Sequence, residues 1–211
     1  MRFIILLTFA FLCLPAIAPA ATKLAEDDFA VRVLVYFMVG QDDTPDANIT
    51  TEQFNAQMKF LKEGGYHVLS LDQINQAYAT KTPLPENSVA ITFDGGDKSI
   101  LTNAAPVLKN YNFPYTVFIA TDRLDANDPR YLNWDDIETL QESDLLTIGL
   151  HPQIYGSINF DTPEFIRSKI NNATSRLRDK TSINAKFFAY PFGEYTQAYQ
   201  DVIKAYNFVF T

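Results

Sequence analysis

The chain has 211 residues, of which 47% are hydrophobic and 20% are charged. This length and composition are typical of one globular domain with a sizeable core, and they argue against two domains. The net charge of −8 argues against binding to nucleic acid, because contacts with the phosphate backbone need clustered lysine and arginine. A neutral or cationic sugar polymer is compatible with this charge.

The first 20 residues have the pattern of a signal peptide. Arg2 precedes an apolar run over 3–14, and Ala18-Pro19-Ala20 has the small-x-small form of a site cleaved after Ala20. The run is shorter than the roughly 20 residues of a membrane span, although an uncleaved anchor is the alternative. We therefore predict a secreted or periplasmic protein with no stable membrane span after cleavage. The predicted boundaries are a signal peptide over 1–20, a linker over 21–29 and one domain over 30–211.

Strand-like and helix-like segments alternate along the rest of the chain. In chain order, the predicted elements are strand 31–39, helix 50–64, strand 66–71, a short helix ending at 78, strand 89–93, helix 98–110, strand 115–121, helix 133–141, strand 145–150, a long helix from 163, strand 185–190, helix 196–206 and strand 208–211. Thr50 and Gln53 have the spacing of a capping box, and Thr162 precedes Pro163 at the start of the long helix. Strand–helix units in series predict an α/β fold.

The predicted strands are short, continuous apolar runs rather than strict alternations of apolar and polar residues. Such runs are typical of parallel strands that are covered by helices. The pattern alone leaves a barrel and an open, doubly wound sheet as alternatives. In both architectures, binding and catalytic groups lie at the carboxyl ends of the strands. Residues directly after each apolar run are therefore the first candidates for a functional site.

Two such residues carry side chains that are suited to chemistry. Asp94 ends the strand at 89–93, and His151 follows the strand at 145–150. Because parallel strands end at the same edge of a sheet, we expect the acid and the histidine on the same face of the fold. Together they could bind a metal ion or share a proton-transfer task.

Seven stretches of the chain together resemble one known family. In chain order they are VLVYF (33–37), EGGYHVLSL (63–71), VAITFDG (89–95), FPYTVFIAT (113–121), YLNWDDI (131–137), TIGLH (147–151) and FFAYPFGEY (187–195). Their content and order resemble the polysaccharide deacetylase family, also called NodB-like or carbohydrate esterase family 4, and most of all its secreted branch. The resemblance implies a distorted (β/α) barrel of about seven parallel strands. This barrel would be incomplete at the carboxyl terminus, because the chain stops inside the seventh strand.

The resemblance also implies roles for individual residues. Asp94 matches the family's general base, and His151 matches the first of its two metal-binding histidines. The other two metal ligands are missing, because Gly95 stands where the family has an aspartate and Tyr155 where it has the second histidine. Phe37 replaces a histidine that usually follows the first strand, and the family's late proton-donor histidine would lie beyond the last residue. The metal site is therefore predicted to be degenerate.

By resemblance, the reaction is removal of N-acetyl groups from a polysaccharide with a divalent metal, zinc or similar, that polarises the carbonyl and activates water. Three protein ligands are usual in such a site, and neither glycine nor a neutral tyrosine replaces an aspartate or histidine well. We therefore predict a deacetylase-family protein of an exported or cell-envelope polysaccharide, with metal weakly bound or absent and catalysis impaired. The alternatives are an inactive protein that binds a glycan or another protein, and an incomplete gene product.

Three further residues are weaker candidates. Asp97 is close enough to Asp94 in sequence to be a displaced metal ligand, although an acid near the start of a helix is also favourable for the helix itself. Trp134 and Tyr190 offer aromatic faces on which a sugar could stack, but aromatic residues are equally ordinary in cores and rims. Both interpretations stay open for each residue.

Overall fold

The computed structural model describes residues 30–40 and 48–209, so the predicted signal peptide and linker lie outside the described residues. The strands are β1 Arg32–Tyr36, β2 Met38–Val39, β3 Asn48–Ile49, β4 His67–Val68, β5 Ser88–Asp94, β6 Tyr115–Ile119 and β7 Leu146–Leu150. The α-helices are α1 Thr51–Glu63, α2 Leu71–Thr80, α3 Ala105–Tyr111, α4 Thr121–Ala126, α5 Trp134–Gln141, α6 Pro163–Thr181 and α7 Gln197–Ile203. A π-helical turn, Ile100–Ala104, leads into α3, and a short 3₁₀ turn spans Pro191–Gly193.

A five-stranded parallel sheet forms the centre of the fold, with β5 in its middle. β1 pairs along β5 from Arg32 opposite Val89 to Tyr36 opposite Phe93. β4 pairs with the first residues of β5, β6 pairs with its last residues, and β7 pairs with β6. β2 and β3 form a separate two-stranded parallel sheet. The α/β class with parallel strands is thereby confirmed.

The predicted helix starts are also confirmed. The Thr50 hydroxyl accepts a hydrogen bond from the Gln53 backbone N–H, and the Gln53 side chain accepts one from the Thr50 N–H, each at 3.1 Å. The Thr162 hydroxyl accepts from the Phe165 N–H at 3.3 Å, with Pro163 in the first turn of α6. These bonds satisfy N–H groups that would otherwise lack a partner at a helix start. From this start, α6 buries one apolar stripe, which consists of Ile166, Ile170, Ala173 and Leu177.

The predicted strand at 185–190 is not a full strand. It meets β7 only through an isolated bridge between Phe188 and Leu150. Pro191 starts the 3₁₀ turn directly afterwards and has no N–H with which to continue a ladder of hydrogen bonds. Among the described residues, the main sheet therefore has five strands, where the sequence predicted about seven.

The chain leaves the sheet earlier than predicted at two other places, and one helix was missed. The predicted strand 31–39 is divided at Phe37 into β1 and β2. The predicted strand 66–71 is reduced to β4, because Ser70 already caps α2 through the Gln73 N–H. α4 was not predicted, since it follows β6 after a single residue.

The predicted last strand, 208–211, is only partly described. The Val209 N–H donates to the Lys186 carbonyl at 2.7 Å, next to the isolated bridge, and residues 210 and 211 lie outside the described residues. Within 30–40 and 48–209, none of the helices combines the length and the apolar character that crossing a membrane requires.

Candidate functional site

Asp94 is the last residue of the central strand β5, where it lies opposite Phe118 of β6. Only 9% of its surface is exposed. Burial disfavours the charged carboxylate and raises the pKa of Asp94 to about 6. A carboxylate whose pKa lies this close to neutral pH is suited to accept a proton during a reaction.

His151 follows β7 and is completely buried. Its ring Nδ1 lies 2.8 Å from the Ala189 carbonyl oxygen. Because a carbonyl only accepts hydrogen bonds, Nδ1 carries the proton and Nε2 has a free lone pair. Burial lowers the pKa of His151 to about 4 and outweighs the Ala189 hydrogen bond, which raises it; the charge of Arg123 adds to the lowering. The imidazole is therefore neutral at pH 7 and presents Nε2 as an acceptor.

The Asp94 and His151 side chains face each other across a short gap. Oδ1 of Asp94 lies 3.9 Å from Nε2 of His151, which is too far for a direct hydrogen bond. Nε2 has no hydrogen-bond partner among the described residues. Ionised Asp94 and neutral His151 both offer acceptors, so a water molecule between them could donate one O–H to each, whereas a hydroxyl or an amide N–H could donate to one of them. The pair is therefore suited to hold a polar ligand.

Gly95, directly after Asp94, adopts a left-handed backbone conformation with φ of +83°. Its carbonyl accepts a hydrogen bond from Nη1 of Arg123 at 2.8 Å. A Cβ atom at position 95 would lie 2.7 Å from the same nitrogen, closer than real Cβ atoms come to their neighbours. An aspartate here would therefore need both an unfavourable backbone conformation and displacement of the Arg123 side chain.

Arg123 is a site residue that the sequence analysis missed. It lies in α4, and its guanidinium is placed between two aromatic rings. Its Cζ is 4.0 Å from the ring centre of Tyr155 and 4.4 Å from that of Tyr131, which are cation–π distances. Its position in the sequence could have indicated it, because Arg123 lies four residues after the end of β6 and hence at the same sheet edge as Asp94.

The resemblance matches Tyr155 to the family's second histidine, and the Tyr155 ring centre lies 4.8 Å from that of His151. Its buried hydroxyl makes no hydrogen bond of standard geometry within the described residues, although the Phe192 backbone N–H is near enough to oppose the rise in its pKa. Burial, reinforced by the Asp94 charge, raises the pKa of Tyr155 to about 12. The side chain is therefore neutral at pH 7, and a neutral phenol is a poor ligand for a divalent cation.

Phe192 lies on the other side of Tyr155, with the two ring centres 4.9 Å apart. Its φ of +58° is uncommon for a bulky residue, and 58% of its surface is exposed. Strained backbone of this kind concentrates at functional sites, so Phe192 is a candidate rim residue.

The divalent metal that the resemblance implies does not fit these side chains. The described part of the chain contains no group of three His, Cys, Asp or Glu residues that could hold a metal ion. Asp94 and His151 could supply two metal ligands, fewer than the three protein ligands of a usual catalytic site. The guanidinium of Arg123 would also repel a divalent cation from the space beside Gly95. Weak or absent metal binding stays a prediction, which these contacts support.

Asp97 has structural partners. Its carboxylate accepts hydrogen bonds from the Ser99 N–H, at 2.9 Å, and from the Ser99 hydroxyl. The same hydroxyl accepts from the Val39 N–H at 3.0 Å, which joins β2 to the start of the helix that leads into α3. These contacts favour the interpretation of Asp97 as a residue that stabilises a helix start.

Trp134 and Tyr190 also have protein partners. The Trp134 indole donates to Asp125 at 2.8 Å, and Asp125 is bound by the Arg176 guanidinium at 2.7 Å, so this group connects α5, α4 and α6. The Tyr190 ring packs edge-on against Phe188 at 5.4 Å. Sugar stacking by either residue stays a prediction.

Comparison with known proteins gives the family. A family model described as polysaccharide deacetylase matches residues 81–211, more than half of the chain. A poly-beta-1,6-N-acetyl-D-glucosamine N-deacetylase of Staphylococcus epidermidis is 28% identical over 170 residues, covering 75% of this chain and 58% of that protein. The enzyme of the same name from Staphylococcus aureus is 31% identical over 116 residues, covering 55% of this chain and 39% of that protein. The chain thus spans only part of the length of these relatives.

A solved structure is also similar. The deacetylase PplD of Streptococcus pyogenes, in complex with acetate, superposes with a TM-score of 0.77 over 85% of this chain and 81% of that one, at 18% identity. At this identity the likeness shows the fold, and it confirms the NodB-like architecture predicted from the sequence. Because the family model covers most of the domain and the fold agrees with it, this chain belongs to the polysaccharide deacetylase family.

Proposed function

We propose that this chain acts on N-acetyl groups of an exported or cell-envelope polysaccharide, and that its N-deacetylation is slow because a divalent metal is held weakly or not at all. Family membership and the two staphylococcal relatives support the substrate class. The observation that carries the proposal is the buried pair Asp94 and His151 at the ends of β5 and β7. The N–H of an acetamido group or a sugar hydroxyl can donate to one of their two acceptor atoms.

Asp94, His151 and Phe192 have different roles in the proposed site. Asp94 takes up a proton from water or from a ligand hydroxyl, since its raised pKa lies near neutral pH. The Ala189 carbonyl fixes the tautomer of His151 and so orients the free Nε2 toward the ligand. The exposed ring of Phe192 gives the rim an apolar face against which a sugar ring packs.

Acetate release from N-acetylglucosamine oligomers tests this function. The protein is assayed after chelation and again with added zinc, cobalt or nickel. We expect release at least about a hundredfold slower than by a three-ligand family member assayed in parallel, and none by Asp94→Asn. No release by the unaltered chain under any of these conditions would exclude hydrolysis of these substrates.

A second candidate function is binding of a glycan, or of another protein, without cleavage. The contact of Arg123 with Gly95 favours it, because a metal-binding side chain at position 95 would have to displace the guanidinium. Nuclear magnetic resonance titration with a glycan panel separates the two candidates. Binding without acetate release supports the second candidate, and no binding to any glycan of the panel contradicts its glycan form.

We also propose that the protein is secreted or periplasmic, that its signal peptide is removed after Ala20, and that residues 30–211 form its one domain after a linker over 21–29. The amino-terminal pattern of the sequence supports this location. The mass of the exported protein tests the proposal, because cleavage leaves Ala21 as the first residue. An exported protein that still begins at Met1 would contradict it.

A further inference from the structure

The positively charged guanidinium of Arg123 lies at the ends of the strands, beside the two positions where the family's metal ligands are missing. Nη1 of Arg123 donates to the Gly95 carbonyl at 2.8 Å, and it lies 2.7 Å from the place of a Cβ at position 95. The Cζ of the same guanidinium lies 4.0 Å from the ring centre of Tyr155. One side chain therefore touches both positions at once.

The guanidinium is held in place but has unused donors. Tyr131 and Tyr155 pack against it, and α4 is tied to the next loop by a hydrogen bond from the Asp122 N–H to the Gln153 carbonyl at 3.0 Å. An arginine side chain has five N–H donors, and Gly95 is the hydrogen-bond acceptor that the described residues offer to them. In the described ranges, no carboxylate lies within ion-pair distance of the Arg123 guanidinium; the Asp122 carboxylate accepts from the Arg123 backbone N–H at 2.8 Å and feels the guanidinium charge from farther away. The charge of Arg123 is therefore available to a ligand.

We propose that Arg123 is the resident cation of this site, which takes the place of a divalent metal and binds an oxygen of the ligand's acyl group. That group is a carboxylate or the carbonyl of an acetamido group. The identity of the ligand rests on the proposed function, whereas the exclusion of the metal does not.

The surrounding groups match such a ligand. Asp94 and His151 present hydrogen-bond acceptors, and Arg123 presents N–H donors beside Gly95, the residue after Asp94. An acetamido group has one N–H donor and one carbonyl acceptor, so it can use both sides. A carboxylate uses the arginine side in the forked geometry that guanidinium groups favour. A metal ion next to the guanidinium would meet charge of its own sign.

Titration with acetate in the presence of chelator tests the role of Arg123 as the cation. We expect acetate to shift the amide resonances of Gly95 and Tyr155 in the unaltered protein, and to bind at least about tenfold more weakly to Arg123→Met. Arg130→Met is the matched control, because Arg130 also lies beside Tyr131, at 5.6 Å, but pairs with Asp128. Acetate binding that requires zinc, or that is equal in Arg123→Met and the unaltered protein, would overturn the proposal.

Zinc binding tests the exclusion of the metal without any reference to activity. We compare Gly95→Asp/Tyr155→His with the triple variant that also carries Arg123→Met, using competition with a chromogenic chelator. We expect the triple variant to bind zinc at least about tenfold more tightly, because both variants supply three ligands and only the triple variant removes the cation. Equal zinc affinity in the two variants would contradict the exclusion. If the strained aspartate prevents folding, as a thermal scan will show, zinc uptake by Tyr155→His is compared with and without Arg123→Met.

Titration with N-acetylglucosamine oligomers separates this inference from the proposed function. Oligomers that bind the unaltered protein and Arg123→Met equally well would overturn the inference and leave the proposed function standing. Acetate binding through Arg123 together with no oligomer binding would support the resident cation and overturn the proposed substrate class.

Discussion

Two buried clusters of polar side chains differ in how completely they are hydrogen-bonded. In the first, Nζ of Lys169 lies 2.8 Å from Asp161, whose carboxylate also accepts from the Tyr199 hydroxyl at 2.9 Å. In the second, Asp94 and His151 stay 3.9 Å apart, and Nε2 of the histidine has no partner in the part of the chain that the structure describes. The clusters have similar burial, so the difference lies in their partners.

This difference distinguishes a structural cluster from a binding site. The partnered cluster connects the loop before α6 with α6 and α7, and its charges balance each other. The unpartnered cluster leaves the buried Nε2 of His151 without a hydrogen bond, and one such unsatisfied group costs about 1 to 3 kcal/mol. A cost of this kind is typical of sites that a ligand completes, because function and stability compete there. Substitutions should therefore change stability in opposite directions in the two clusters.

The largest effect is expected in the partnered cluster. Lys169→Met leaves the Asp161 carboxylate buried without its cation, and we expect it to lower the free energy of unfolding by about 3 to 5 kcal/mol. Urea titration at pH 7 measures this loss. The control is Lys186→Met, which breaks the exposed pair with Asp72 and should cost less than about 1 kcal/mol. A loss at Lys169 as small as that of the control would show that the cluster does not stabilise the fold.

Asp94→Asn should raise the free energy of unfolding, whereas Lys169→Met lowers it. The pKa of Asp94 in the folded protein, about 6, lies above its ordinary value of 3.8. The protonated form therefore contributes stability that is present below pH 3.8 and is lost as the pH rises through about 6. In chelator, the variant should be more stable than the unaltered protein by about 3 kcal/mol at pH 7.5, and by only a few tenths at pH 4.

Urea titrations at several pH values measure this gain, and Asp72→Asn on the surface serves as the control. A stability difference for Asp94→Asn that does not change between pH 4 and pH 7.5 would show that burial does not raise the pKa of Asp94.

A pair of tyrosines gives the smallest and most direct comparison. Tyr155→Phe removes a buried hydroxyl that lacks a standard hydrogen bond, so we expect a gain of about 1 kcal/mol in the free energy of unfolding. Tyr199→Phe removes the hydroxyl that donates to Asp161, so we expect a loss of about 1 to 2 kcal/mol. Thermal unfolding of both variants at one pH tests the signs. Equal losses would mean that the Tyr155 hydroxyl is satisfied as well as the other.

The sequence was sufficient for those parts of the site that depend on one strand at a time. Asp94 and His151 each follow an apolar run directly, so the parallel arrangement of the strands brings them together. Arg123 could not be found in this way, because its importance comes from contacts with Gly95 and Tyr155, which are 28 and 32 positions away in the chain. No periodic pattern or motif spacing carries that information, and α4 itself was hidden behind the end of a strand.

The same distinction applies to the fold. Helix starts were predicted well, because a cap such as Thr50 involves residues only three positions apart. The segment 185–190 was predicted as a strand from its apolar residues, but strand pairing also depends on the neighbouring chain. There Pro191 has no N–H to continue the ladder, and the Ala189 carbonyl is bound by the His151 side chain instead of a strand N–H.

The backbone of Gly95 has a consequence for how a metal site could be regained. Gly95→Asp would be the first substitution on that route. Its product would be strained by the φ of +83°, would push against Arg123, and would still face a tyrosine at position 155. If the family match is right, a family-type site would need Tyr155→His as well as Gly95→Asp, together with displacement of the Arg123 side chain. The left-handed backbone of Gly95 therefore opposes the return of a metal ligand at that position.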